Sequence, residues 1–161
     1  MRGVFVVVLC AAAGLTGGCD TEEFHPKGPT LETQTGARIV RMHDPELVAR
    51  GRAVFAQHCA RCHGAQAEGA PDWRRRGPGG LYPPPPLDGS GHAWHHASTQ
   101  LKDIIRNGSP PGQGGMPAWK DKLSEEEIDA AVEWFQSLWP NAVYAAWWDT
   151  EQRSLGRRPV K

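Results

Sequence analysis

Cys59-Ala60-Arg61-Cys62-His63 is the stretch that decides the fold of this 161-residue chain. Two cysteines three residues apart, followed directly by a histidine, form the attachment signature of a c-type haem. The chemistry needs that spacing. On one helical turn, two thiols can add across the two vinyl groups of one porphyrin, and the next residue then presents an imidazole to the iron from the same side. A Cys-x-x-Cys pair alone is also compatible with a redox dithiol or with half a zinc site. The abutting His63, with Gly64 after it, favours haem.

The composition suits that reading. The formal net charge is zero, so sequence-independent binding to nucleic acid is not expected. The length predicts one small soluble domain. Fourteen prolines and nineteen glycines predict long loops in place of dense regular structure. A large flat apolar cofactor compensates, because it can form the centre of a core too small to stand alone.

Residues 1–18 read as an export signal: Arg2 gives a positive start, and Gly3 to Leu15 is an apolar run short for a membrane span. Leu15-Thr16-Gly17-Gly18-Cys19 resembles the lipobox of bacterial lipoproteins, with Leu15 four residues before the cysteine where that family places a leucine three before. The resemblance implies cleavage before Cys19 and a lipid on its thiol. Cys10 lies in the segment that would be removed. All four cysteines then have an occupation without a disulfide, although the compartment is oxidising.

Asp20 to His43 is polar and aperiodic, and residues 19–43 are expected to form a flexible tether. About 24 residues of coil span roughly 25–30 Å, or up to about 80 Å when drawn straight. Asp44-Pro45-Glu46 is a helix start, with an N-cap acid, proline at N1 and an acid in the first turn. The helix carries Leu47, Val48, Gly51, Val54 and Phe55 at spacings of three and four and delivers Cys59 and Cys62 at its end. Gly51 in mid-helix costs about 1 kcal/mol against alanine; a close helix crossing would explain it.

A proline-rich loop follows, with Pro83-Pro84-Pro85-Pro86-Leu87 favouring extended polyproline geometry. A short helix is predicted from about Ser98 to Arg106, with Leu101, Ile104 and Ile105 inward. Ser124 and Glu127 form a capping box for a last helix striped by Ile128, Ala131, Val132, Phe135 and Leu138 and ended by Pro140. The domain is thus expected over 44–140, with a tail at 141–161 that carries Trp147 and Trp148 and wraps it loosely.

From about Asp44 to Trp139 these residues resemble a class I monohaem cytochrome c. The resemblance rests on Gly51 and Phe55 in an N-terminal helix, on Cys59-x-x-Cys62-His63-Gly64, and on Gly115-Met116-Pro117 before a C-terminal helix bearing Trp134 and Phe135. It implies an all-α fold in which the N- and C-terminal helices cross near Gly51 and long loops enclose one covalently bound haem c. In that family a backbone carbonyl from a proline-containing loop accepts the proximal histidine's other ring proton; Pro86 is the expected source.

Met116 is the expected distal ligand, because a thioether favours ferrous iron and the only other methionines are Met1 and Met42. His92, His95 and His96 around Trp94 offer alternatives: bis-histidine ligation, a weak copper or zinc site, or a polar turn whose Trp94 lies by the haem edge. Arg74 to Arg76 could meet haem propionates, dock an acidic partner, or form a solvated charged loop. The expected function is that of an electron carrier, not an enzyme, lipid-anchored on the periplasmic side of a bacterial membrane. It would exchange electrons with redox proteins such as a membrane oxidase or a periplasmic reductase. A subunit of a larger oxidoreductase docked through Trp147 and Trp148, a haem sensor and a copper-handling protein are the alternatives.

Overall fold

The computed structural model describes residues 28–156. The export signal and Cys19 lie outside them. In chain order the elements are β1 (Thr30–Glu32), β2 (Arg38–Val40), α1 (Pro45–His58), α2 (Ala60–His63), a 3₁₀ turn (Ala93–His95), α3 (Ser98–Asn107), α4 (Glu125–Ser137) and α5 (Asn141–Ser154). The regular elements of the described residues are helical apart from one two-stranded hairpin, in line with the all-α expectation.

The helix boundaries follow local chemistry. Asp44 caps α1 by accepting from the amides of Glu46 and Leu47 at 2.9 and 3.2 Å, with Pro45 at the first helical position. Ser124 and Glu127 form the reciprocal box at the start of α4, at 2.8 and 3.2 Å. Gly108 ends α3 with φ +80°, a left-handed conformation that glycine adopts without steric cost.

The frame is the packing of α1 on α4, the most extensive contact between any two described elements. Gly51 sits at the crossing. A methyl group there would overlap the Ala130 carbonyl and approach Trp134 Cβ to 2.8 Å. Only glycine allows the two backbones this close. One turn further along α1, Phe55 is 1% exposed and packs against Trp134 with ring centroids 4.4 Å apart. The crossing therefore fixes where α1 ends, and with it the cysteine motif.

The flexible tether expected over residues 19–43 is corrected in its second half. β1 and β2 form an antiparallel hairpin with Leu31 opposite Ile39, and both side chains pack on the main core. Thr35 ties the hairpin to α5, its hydroxyl and amide donating to the two carboxylate oxygens of Asp149 at 2.7 and 3.1 Å. Arg41, 8% exposed, then anchors the segment that leads into α1. Its guanidinium donates to the carbonyls of Gln136, Ser137 and Trp139 at 3.0, 3.0 and 2.7 Å and to Asn141 Oδ1 at 2.8 Å. It thereby satisfies the orphan carbonyls where α4 gives way to α5, and its positive charge suits that negative helix end. Arg41 Nε–H also donates to His43 Nε2 at 3.0 Å. The proton of His43 is therefore on Nδ1, which donates to Glu133 at 2.8 Å.

The tail beyond Pro140 is also corrected. It is a 14-residue helix whose Tyr144 and Trp147 are buried. Trp147 meets Trp139 edge to face at 5.8 Å. The spacing Tyr144, Trp147, Trp148, Glu151 is helical, and a proline at the boundary can precede a helix as readily as end one.

Two substitutions test this frame. Gly51→Leu is expected to cost more than about 3 kcal/mol and to reduce holoprotein yield, because overpacking at a backbone contact has no relief. Ala53→Leu on the exposed face of α1 should stay within about 0.5 kcal/mol by urea titration. Equal effects of the two would refute the crossing. Arg41→Met is expected to cost about 3 kcal/mol by leaving buried carbonyls unpaired, read as a lowered Tm.

Candidate haem site

The end of α1 breaks at Cys59, which both closes α1 and begins α2. The break is a single tightened turn, in which the amides of Cys62 and His63 both donate to Cys59 O, at 3.0 and 2.9 Å. Of the two motif cysteines, neither in a disulfide, Cys59 is half-buried and Cys62 exposed. Burial, and after it the neighbouring Cys62, push the Cys59 thiol up to about 11. That shift favours the thiol over the thiolate. Among the described residues no group of three His, Cys, Asp or Glu side chains is arranged to hold a metal ion.

His63 is buried, with its ring 6.5 Å from that of Phe55. Its Nδ1–H donates to the Pro85 carbonyl at 2.9 Å. A carbonyl can only accept, so this contact fixes the tautomer and leaves Nε2 with a free lone pair. Burial pushes the His63 pKa below the usual histidine value, against the opposing pull of the Pro85 carbonyl. The imidazole is therefore neutral, with one nitrogen ready to ligate.

The carbonyl acceptor is Pro85, one residue before the Pro86 expected from sequence. In an extended polyproline run successive carbonyls point in different directions around a threefold helix. Pro84 O accepts from the Ala70 amide at 2.9 Å, Pro85 O takes the His63 proton, and Pro86 O faces Gly91, where a Cβ would collide with it. The register is set by the loop after the motif. The Gly69 amide donates to His63 O at 2.7 Å and the Leu87 amide to Ala67 O at 2.7 Å. Gly69 is in the left-handed region, φ +73°, and its backbone lies so close to Pro85 and Pro86 that no Cβ fits. Trp139 Nε1–H holds the far side through Leu87 O at 2.8 Å.

Cys59, Cys62, His63 and Met116 all line one cavity of about 830 Å³. Its walls are mainly apolar, with Phe55, Leu101, Ile104, Ile105, Phe135 and the prolines 83–85 among them, and no carboxylate lines it. The volume is near the top of the range for small-molecule sites, about 300–1,000 Å³. The donors and the apolar walls fit a haem.

Met116 lies in the loop between α3 and α4, whose base is closed by Ser109. The Ser109 amide donates to Met116 O at 3.0 Å, and the Met116 amide to Ser109 Oγ at 3.3 Å. The far end of the loop is held by Arg76, which the sequence offered for propionates, a partner or solvent, and by Tyr82, which it did not single out. Arg76 donates to Gly112 O at 2.6 Å and to Gly80 O, and its guanidinium lies 4.3 Å from the centre of the Tyr82 ring. The Tyr82 amide donates to Gln113 O at 2.9 Å. The arginine-rich loop and the methionine loop are therefore clamped together. Met42 is 43% exposed and does not line the cavity.

The histidine cluster divides. His92 and His96 line the cavity and meet edge to face at 5.6 Å. His95 stacks on Trp94 at 3.6 Å, and neither of those two lines the cavity. Trp94 therefore does not take the position at the haem edge that the sequence suggested; its indole N–H is turned to Gly91 O at 3.1 Å. Trp73, Tyr82 and Trp119 are cavity residues that sequence reasoning missed, since they fall in loops without period. Trp147 and Trp148 belong to the core packing, so Trp147 is withdrawn as a docking surface by its burial.

Comparison with known proteins agrees with the geometry. The family model described as "Cytochrome C oxidase, cbb3-type, subunit III" matches residues 46–135. The chain is 34% identical over 114 residues to the cbb3-type cytochrome c oxidase subunit FixP of Rhizobium meliloti (strain 1021), covering 68% of this chain and 35% of that one. It is 31% identical over 106 residues to cytochrome c6 of Cladophora glomerata, covering 65% of this chain and 99% of the alga's protein. The match thus takes in about a third of the FixP chain and nearly all of the cytochrome c6. The crystal structure of cytochrome CL from Methylophaga aminisulfidivorans MPT superposes with a TM-score of 0.44 at 23% identity, over 86% of this chain and 87% of that chain.

Proposed function

Since this chain belongs to the cytochrome c family represented by subunit III of the cbb3-type oxidases, with haem c as its cofactor, we propose that it is a one-electron carrier held at the outer face of a bacterial membrane. The cofactor supplies the one-electron iron couple. Everything else is the work of the chain. Cys59 and Cys62 would carry the thioether links, and His63 would offer Nε2 to the iron while Pro85 O holds its other nitrogen in register. Met116, in the same cavity lining as His63, would offer its thioether to the iron. A haem held by two protein ligands would serve electron exchange with partner proteins.

The observation that carries this reading is the neutral His63, locked by Pro85 O at 2.9 Å, in one cavity with both cysteines and Met116. Cys19 supports the anchor through its lipobox-like context. With residues from Thr30 onward engaged in the hairpin, about ten residues would separate the lipid from the folded body, a reach of no more than about 35 Å. The domain would then work close to the membrane surface, which suits a membrane oxidase as partner.

A second reading, a subunit built into such an oxidase, is favoured by the family match itself and by the third of the FixP chain that the likeness covers. Co-purification with a membrane oxidase under mild detergent separates it from a freely exchanging carrier.

Met116→Ala is expected to abolish the far-red thioether-to-iron absorption of the ferric protein and to lower its potential. A wild-type spectrum without that band would rule out Met116 as ligand. Cys19→Ser is expected to move the protein from the membrane to the soluble periplasmic fraction on cell fractionation, and persistent membrane attachment would count against lipidation.

A further inference from the structure

The cavity has one basic corner. Its walls are otherwise apolar and carry no carboxylate, yet Arg74, His92 and His96 converge on one part of its lining. His92 stacks on Trp73 with ring centroids 5.3 Å apart, the Arg74 guanidinium lies 4.1 Å from the centre of the same Trp73 ring, and His96 meets His92 at 5.6 Å. Trp73 thus gathers a guanidinium and an imidazole that would otherwise repel one another. Burial first, and then the charged neighbours His96, His95 and Arg74, each cationic when charged, push the His92 pKa down. On α5, the helix packed against the 3₁₀ turn, Glu151 accepts from the Ser98 amide at 2.7 Å and Asp149 is held by Thr35. Three basic groups with no acid among them at a cavity wall are an uncompensated anion site.

A haem brings two carboxylates into this cavity, where the one other histidine outside the attachment motif, His58, lies against Trp119. We propose that Arg74, His92 and His96 receive the haem propionates, and that proton binding by the two histidines couples the reduction potential to pH. Arg74 holds a permanent positive charge beside the carboxylates, and the histidines add charge only when protonated. Each reduction adds one electron from the partner protein, and the histidines then take up a fraction of a proton from solvent. Positive charge here opposes the ferric state, so the potential is highest at low pH and falls as the histidines lose their protons. Burial, and after it His96, His95 and Arg74, hold His92 below the usual histidine value, and carboxylates beside it would raise it. The inference takes the family's cofactor as given and does not depend on Met116.

The test is a spectroelectrochemical titration of the purified haem-loaded protein between about pH 5 and 9, with haem content checked for each variant. Wild type should shift about tenfold in the ferrous-to-ferric equilibrium constant across the range, about 59 mV for one electron. His92→Gln with His96→Gln should cut that shift to below about threefold, and each single change should give an intermediate profile. Arg74→Ala should lower the potential at every pH while keeping the slope. Arg75→Ala, outside the cavity lining, should follow wild type, and His95→Gln, stacked on Trp94, should move the profile less than His92→Gln. A flat wild-type profile, an unchanged profile in the double variant, or equal effects of His95→Gln and His92→Gln would overturn the proposal.

Discussion

The close approach of α1 and α4 at Gly51 is the constraint on which the rest of this structure depends. The Ala130 backbone occupies the space a side chain would need, so the two helices can pack at one depth only. That depth seats Phe55 against Trp134 and ends α1 at Cys59. A shift of one helical turn would move the cysteines and His63 off the cavity wall. A conformational cost of about 1 kcal/mol for glycine in a helix is offset by the core the contact creates.

From that fixed point the site is assembled by backbone hydrogen bonds more than by side chains. The loop from Gly64 to Ala70 reads the positions of His63 and of the proline run together, through Gly69 to His63 O, Ala70 to Pro84 O and Leu87 to Ala67 O. Prolines cannot donate, so a stretch of four has only carbonyls to offer, and each is directed by the threefold turn of the run. One goes to the loop, one to His63, and one faces Gly91. The histidine's tautomer is thereby a property of the loop's register, and the same register shapes one wall of the cavity.

Much of the frame was legible in the chain because its signals are local. Asp44-Pro45 and the Ser124–Glu127 box are short-range hydrogen-bond motifs that act wherever they occur. Gly108 and Gly64 take up left-handed or otherwise special backbone conformations at helix ends. The hairpin, by contrast, has strands of three residues and no readable period. It is held by Thr35 on Asp149, 114 residues away, and by Arg41 on the α4–α5 junction nearly 100 residues away. α5 reads as a tail from sequence because Pro140 serves equally as the end of one helix or the threshold of the next.

The sequence by itself determined the chemistry of the attachment motif, the capped helices and the glycine that needs a partner, because each depends on neighbours within a few residues. Only the tertiary structure decided that Pro85 and not Pro86 meets His63. It also decided that Arg76 and Tyr82 clamp the methionine loop, and that His92 and His96, but not His95, face the cavity. Those outcomes turn on the direction of a carbonyl or a ring. Direction is set by contacts across the fold, where positions adjacent in sequence are sent to different surroundings.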